Sequence, residues 1–511
     1  MEPQGSQHEK LWAVARMNFE ALCRRLEADE ALGMSHSEVE ATLQTDGFEV
    51  LRLLFQDHLA LRAAREVRLT EPVVGSDGVT RTHVREQARD LETLFGTVEV
   101  ARLGYGHPGV DSLHPLDAGL NLPPERYSLG LRRRMALAAP AGSFDAALVV
   151  VTSTTAASLP KRQAEQLARR AAVDFEAFYD AKPEIAAKPG ELLVLSLDGK
   201  GIVMRAADLT AHTAKKARTT RHKLQKRLSP GEKRNRKRMA TVAAVYTVDR
   251  YKRKPAEIAR PPKAAERRTP PRPVGKRVWA SLERSTRQVV VEMFDEAFRQ
   301  DPTGSKPWIC LTDGNPTQIR LVKQRAAAIG VKLVIVLDII HVLEYLWKAV
   351  TAFHPASTTA AENWVTERLE RILEGKSSQV AAGMRRSATC RKLAKTARAA
   401  VDRCCNYLLK LRDYLQYDLY LKAGYPIGTG VIEGACRHLI KDRMDVTGAR
   451  WSLAGAEAIL KLRALKSSGD FDAYWVFHEA KERERNHDSH YANNLVPFKR
   501  SEGRELRRCA A

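Results

Sequence analysis

The stretch ELLVLSLDGKG, residues 191–201, decides how the chain is read. Leu192, Leu193, Val194, Leu195 and Leu197 form an apolar run. At this length, with a turn signal behind it, such a run predicts a strand covered on both faces. The run stops at Asp198-Gly199-Lys200. Two further runs repeat the arrangement: PWICLT, residues 307–312, leads into Asp313-Gly314, and VKLVIVL, residues 331–337, into Asp338. A carboxylate at the carboxyl end of a strand sits on the rim of a sheet, where open α/β folds place their ligands. A single Asp-Gly after a strand is ordinary turn chemistry. Three such endings in one basic chain point to acids gathered from distant positions into a metal site.

A chain of 511 residues is longer than one core usually organises, so two to four domains are expected. Its hydrophobic fraction of 44% excludes global disorder. The opening MEPQGSQHEK has neither the basic nor the apolar region of a signal peptide, and no apolar run reaches membrane-spanning length. A soluble, cytoplasmic protein is the expectation. The seven cysteines are odd in number, scattered and without a CxxC pair, which predicts reduced thiols, neither disulfides nor a zinc site. Lys and Arg total 84 against 61 acids, a net charge of +23, which calls for a polyanionic partner. No basic amphipathic helix with an aromatic face stands out, so nucleic acid is favoured over a membrane surface.

Residues 1–185 read as a mostly helical region. Ser35-His36-Ser37-Glu38 is a capping-box pattern. Val73–Val79 suggests a hairpin turn, and LFGTVEVARL, residues 94–103, alternates as a strand does. Within 128–179, helices from Ser128 and Ser143, a polar turn TSTTAAS, and a third helix opened by Pro160-Lys161-Arg162 resemble a helix-turn-helix DNA reader, or an ordinary helical hairpin. Residues 190–353 carry the strands: the Asp198 run, a second at 201–205, a third at 241–248, then a helix from Val278 to Arg299 before the Asp313 run. Two basic tracts interrupt them, 212–238 (with Lys215, Lys216, Arg218, Arg221, Lys233, Arg234 and Arg236) and 250–277. Such runs are solvated loops that can supply phosphate contacts. An all-α insertion spans 354–422, and 423–480 contains a helix carrying Glu433 near its start. Residues 481–511 read as a polar tail that frays. Arg450-Trp451 offers a phosphate fork and a stacking face, or else a core tryptophan; Trp347 has the helical neighbours of a packed side chain.

Strand-Asp198, strands, helix, strand-Asp313, helix, strand, helical insertion and helix-Glu433 is the order of an α/β, RNase-H-like core. The acids are separated by 115 and 120 residues. Three carboxylates of this kind suit two divalent ions about 4 Å apart, one activating a water or 3′-hydroxyl and the other stabilising the leaving oxygen. Asp338 also ends a strand and rivals Asp313 as the second ligand. His341, three residues on, is either a buried structural histidine or a supporting donor.

At these residues the chain resembles the DDE transposases of bacterial insertion sequences, most closely the ISKra-type group, related to Mutator-like transposases. LSLDGKG, WICLTDGNP, VLDIIHVLEYLW, YPIGTGVIEGACRHLIKDRM and TGARWSLAGAEAILKLRAL carry the resemblance, with LFGTVEVARLGY and PLDAGLNLPPERYSLGLRR upstream. The resemblance implies that Asp198, Asp313 and Glu433 are the catalytic, metal-binding triad. It implies Mg²⁺, with Mn²⁺ as a substitute, and Asp338 and His341 as a supporting element. It further implies double-stranded DNA partners, the terminal inverted repeats and target DNA, and a homo-oligomer on the ends. An RNase-H-like nuclease or resolvase without strand transfer, and a catalytically silent DNA-binding regulator, are the alternatives.

Overall fold

The computed structural model describes residues 11–184, 190–220, 222–224, 228–262, 266, 268–446 and 448–497. The chain folds as two compact units, one containing residues up to Asp180 and from Phe471 onward, the other residues 181–470. No helix among the described residues is long and apolar enough to cross a membrane.

The first unit opens on the helices Ala13–Glu27 and His36–Ala64. The second begins at the expected capping box, where the Ser35 N–H donates to Glu38 Oε2 at 2.8 Å. A hairpin of β1 (Val73–Val74) and β2 (Thr80–Arg81) follows, then an antiparallel sheet of β3 (His83–Thr93), β4 (Gly96–His107) and β5 (Val110–Leu113). Only β4 of that sheet is legible as alternation. Its inward Val98 and Val100 pack with Leu59, Leu91 and Leu122. The three helices expected within 128–179 are present as Leu129–Ala138, Phe144–Ser153 and Lys161–Arg170, the first two capped by Ser128 and Ser143. Residues 481–497 do not fray as expected, and the rest of that tail lies outside the described residues. The helix Phe471–Asn486 continues past that point, and Tyr491 is buried beside Val73, Tyr105 and Leu113. These residues pack with the amino-terminal unit, so the boundary expected at residue 480 falls at Asp470.

The second unit is α/β. Its sheet comprises β6 (Leu192–Val203), β7 (Lys237–Val248), β8 (Val274–Ser281), β9 (Trp308–Thr312) and β10 (Leu333–Leu337), in the spatial order β10-β9-β6-β7-β8. β6, β7 and β8 form an antiparallel meander, whereas β9 runs parallel to both β6 and β10. Parallel neighbours need a crossover. The helices Thr286–Gln300 and Pro316–Ala328 supply the chain reversals before and after β9, capped by Ser285 and Asn315. β6 is apolar and buried from Leu192 to Leu197, as a strand covered on both faces must be.

The strands differ from the sequence reading, β7 among them, which starts at Lys237 and not at Thr241. β6 does not stop at Asp198 but runs on to Val203, pairing residue for residue with β7 from Leu192 opposite Val248 to Val203 opposite Lys237. Twelve ladder pairs override the turn preference of Asp-Gly, and the strand expected at 201–205 is the second half of the first. The segment around Val278 is the strand β8, not a helix, and the helix starts at Thr286. Because that reading counts one strand twice and misses another, Asp313 still follows the fourth strand.

Residues 354–422 are helical as expected, with helices Thr359–Leu373, Ser377–Cys390, Lys395–Lys410 and Tyr417–Ala423. Tyrosines tie this insertion to the sheet. The Tyr417 hydroxyl donates to the Leu337 carbonyl at 2.8 Å and that of Tyr420 to Ile335 at 3.2 Å, both on the edge strand β10. At the other margin, Ser468 Oγ accepts from the Val278 N–H of β8 at 3.0 Å.

Candidate active site

The sheet registers bring the strand-end acids together. Leu193 to Ser196 of β6 lie opposite Trp308 to Leu311 of β9, and Trp308 to Thr312 lie opposite Leu333 to Leu337 of β10. Continued past the last pairs, both registers put Asp198, Asp313 and Asp338 in one row across three adjacent parallel strands.

Within that row, Asp198 is the most heavily contacted of the proposed ligands. Its Oδ1 accepts from the Gly199 N–H at 2.6 Å. Its Oδ2 accepts from the Cys436 thiol at 3.1 Å and faces Lys200 Nζ at 3.2 Å. Neither partner was identified from sequence, although both left a signal. Lys200 is two residues beyond Asp198, on the same face of a strand that continues. Cys436 lies three residues beyond Glu433, where the helix Gly430–Ala435 passes into a π-helical stretch, Cys436–Lys441.

Glu433 completes the cluster from the first turn of that helix. Partial withdrawal from water raises its carboxyl above the ordinary range, and the Asp338 and Asp198 carboxylates add to the rise; His341 and Lys200 oppose it. Burial works against the charge of Lys200, but Asp198, with Asp313 behind it, holds its ammonium above the usual range. Carboxylate oxygens are the ligands that hard divalent cations take. The cluster already draws one positive charge, that of Lys200, towards Asp198. Carboxylate oxygen is thus the donor type that Mg²⁺ or Mn²⁺ takes, although the ligand atoms of Asp198, Asp313 and Glu433 do not all lie within 4.8 Å of one another.

Asp313 and Asp338 differ in what they hold. Asp313 is half-buried; one of its carboxylate oxygens accepts from the Asn315 N–H at 2.8 Å, and its backbone carbonyl accepts from the Tyr407 hydroxyl at 3.2 Å. Gly314, at φ 92°, follows in the left-handed region. A Cβ there would also lie 2.7 Å from Leu411 Cδ1, so only glycine fits this turn. Asp338 is fully buried and occupied. It caps the helix Ile339–Val350 through the Ile340 N–H at 3.1 Å, and accepts from the Thr429 N–H at 3.2 Å and hydroxyl at 2.5 Å. Asp338→Ala should therefore cost about 2–4 kcal/mol, a lost cap plus buried donors left unpaired. Asp313→Asn should stay within about 0.5 kcal/mol. Urea unfolding of the two variants checks this, and equal costs would return Asp338 to the rank of a possible ligand.

His341 is not a buried histidine. It lies 4.0 Å from both Asp338 and Glu344, half-exposed and turned towards the acids. Lys161 and Arg162 are exposed at the start of their helix, with Lys161 ion-paired to Asp145 at 2.6 Å. In the first basic tract, Lys215, Lys216 and Arg218 stand on a helix, Ala211–Thr219. Lys233 and Arg234 end a second helix, Pro230–Arg234, and Arg236 leads into β7; Arg221 lies outside the described residues. The tract is thus partly folded. Arg450 is exposed, but Trp451 is only 6% exposed. Its indole N–H donates to the Met444 carbonyl at 3.2 Å, and the Arg443 guanidinium lies 4.6 Å from its ring centre. The ring is packed on the protein, which rules out the stacking face for a base and leaves the core tryptophan, the other of its two readings. Trp347, conversely, is 43% exposed and does not pack as expected.

Among the described residues, Asp174, His478 and Glu482 form the one group of three acids or histidines whose ligand atoms all lie within 4.8 Å of one another. This group belongs to the first unit, and guanidinium groups occupy it. Arg132 donates to Glu482 and to His478 Nε2, Arg485 pairs with Asp174 and Glu482, and His478 Nδ1 lies 2.7 Å from Asp174. It is a buried ion-pair network. Comparison with known protein families and with curated proteins finds no match to the chain.

Proposed function

We propose that the chain is a DDE transposase with an RNase-H-like catalytic core, cleaving the ends of its mobile element and joining them to target DNA. The observation that supports this most is the placement of acids on the sheet. In the order β8-β7-β6-β9-β10, Asp198 lies on the middle strand and Asp313 follows the parallel neighbour. Glu433 feels the charge of Asp198 from a helix that packs against β7 and β6.

Asp198, Asp313 and Glu433 would hold Mg²⁺, or Mn²⁺ in its place. When bound, such ions stabilise charge on a scissile phosphate and make water or a 3′-hydroxyl nucleophilic at neutral pH. The chain's own part is positioning. The Gly199 N–H and the Cys436 thiol orient the Asp198 carboxylate, while Asn315 and Tyr407 fix the Asp313 turn. No covalent enzyme intermediate is required. In this reading the helices within 128–179 contact the inverted repeats through Lys161 and Arg162. A homo-oligomer brings two ends together, and the setting is the bacterial cytoplasm.

The deciding experiment is transfer of a labelled, pre-cleaved DNA end into a plasmid, with and without Mg²⁺, for wild type and Glu433→Gln. Metal-dependent joining that the variant loses supports the reading. Nicking without joining would make the protein a nuclease, and neither activity with cognate ends would leave a DNA-binding regulator. Separately, neutralising Lys215, Lys216, Arg218, Lys233 and Arg234 should weaken DNA binding and lower the slope of log K against log salt by roughly 0.9 for each phosphate these side chains neutralise. A gel-shift series across salt concentrations measures it, and an unchanged slope would mean that this tract does not touch DNA.

A further inference from the structure

We propose that Lys200 is the resident cation of the acid cluster, holding Asp198 while no metal is bound and yielding that carboxylate when a divalent ion arrives. The inference rests on the transposase reading only in taking Asp198 as a metal ligand.

The two oxygens of Asp198 are differently committed. Oδ1 is engaged by the adjacent backbone N–H of Gly199. Oδ2 has two partners of opposite character. Cys436 is buried and fixed on the π-helical stretch, a neutral donor that burial and Asp198 keep protonated. Lys200 is a full positive charge whose side chain is 38% exposed. Its four-carbon stem has room and rotatable bonds to leave. A divalent ion binds carboxylate oxygen at about 2.0–2.1 Å, so metal and ammonium on one oxygen are two cations in contact distance of each other. One of them has to go, and Lys200 is the partner free to move.

The arrangement also answers a folding problem. Carboxylates gathered on one sheet edge repel unless a cation accompanies them. Lys200 supplies that charge from within the same strand, at a position that the pleat turns to the same face as Asp198. It acts as a placeholder: the cluster is tolerable before metal is bound, and the site remains selective for a cation strong enough to displace an ammonium.

The test is Mn²⁺ binding to the purified full-length protein, followed by the electron paramagnetic resonance of free Mn²⁺ and by the unfolding temperature with and without the ion. Lys200→Met should bind Mn²⁺ on the order of 10-fold more tightly, since a charge at this distance biases a site by about one to three powers of ten. It should also unfold at a lower temperature without metal and gain more from Mn²⁺. Lys200→Arg should stay near wild type. Lys200→Gln keeps a donor for Asp198 without the charge and gives the same readout should the methionine variant fold poorly. Equal or weaker Mn²⁺ binding in the uncharged variants, with binding lost in Asp198→Asn, overturns the proposal and leaves the metal site standing. Mn²⁺ binding that Asp198→Asn does not reduce would sink the site assignment, and the proposal with it.

Discussion

Asp198→Asn is expected to lower DNA cleavage and joining by on the order of 10³-fold or more, because the metal stabilisation it removes is worth several kcal/mol. End binding and folding should survive. Asparagine keeps an oxygen for the Gly199 N–H, and its amide nitrogen takes the place of the oxygen that accepts from the Cys436 thiol. What it loses is the charge that a divalent ion requires; the ion pair with Lys200 goes too, but so does the carboxylate charge that Lys200 offsets. Cleavage of a labelled end and gel-shift binding, measured at one salt concentration, separate the two effects. Loss of both would make Asp198 structural, and persistent cleavage would mean that other acids hold the metal. Glu433 adds a pH signature. Its carboxyl is raised, so the folded, metal-free protein binds that proton more tightly than the unfolded chain does. Its contribution therefore favours folding at low pH and is lost as pH rises through the raised value. For metal the sign is opposite: protons compete with it, so metal-dependent activity should fall on acidification, and less steeply as the metal concentration is raised.

Arg132→Met should be the most damaging single change to the first unit, costing about 3–5 kcal/mol. Arg132 is fully buried in the helix Leu129–Ala138. Its guanidinium pairs with Glu125 and Glu482, and with His478 Nε2 at 3.1 Å. Those partners bind a helix of the 128–179 region to the helix Phe471–Asn486, which lies more than three hundred residues away in sequence. Removing the arginine strips a cation from two buried carboxylates in a unit whose total stability is of the order of 5–15 kcal/mol. Urea unfolding measures the loss, with Arg132→Lys expected to fall between, since it keeps the charge without the planar fork. A change below about 1 kcal/mol would mean that Arg170, which pairs with Glu125, and Arg485, which pairs with Asp174 and Glu482, suffice for the network.

What can be read from sequence is what local chemistry determines. Ser35 and Glu38 announce a capping box because both partners lie within one turn. The acid row is legible because the apolar runs before Asp198, Asp313 and Asp338 are long and uninterrupted. β8 is not, since VGKRVWAS mixes charge with apolar residues and follows a proline-rich stretch. Its strand character comes from pairing with β7, a neighbour that sequence does not display. Lys200 escapes notice because Asp-Gly looks like a turn, and a turn would send its side chain elsewhere. The choice between Asp313 and Asp338 needs Thr429, ninety-one residues beyond Asp338, to show which carboxylate is already engaged.

The two margins of the five-stranded sheet have a consequence for what can be added to it. On β10 the outward carbonyls of Ile335 and Leu337 accept tyrosine hydroxyls, and on β8 the Val278 N–H is met by a serine. An incoming strand finds those groups already answered, so lengthening of the sheet by a peptide or a second copy is discouraged at both ends. The helical insertion, which supplies one of the two closures, thus doubles as a guard against edge-to-edge growth of the sheet.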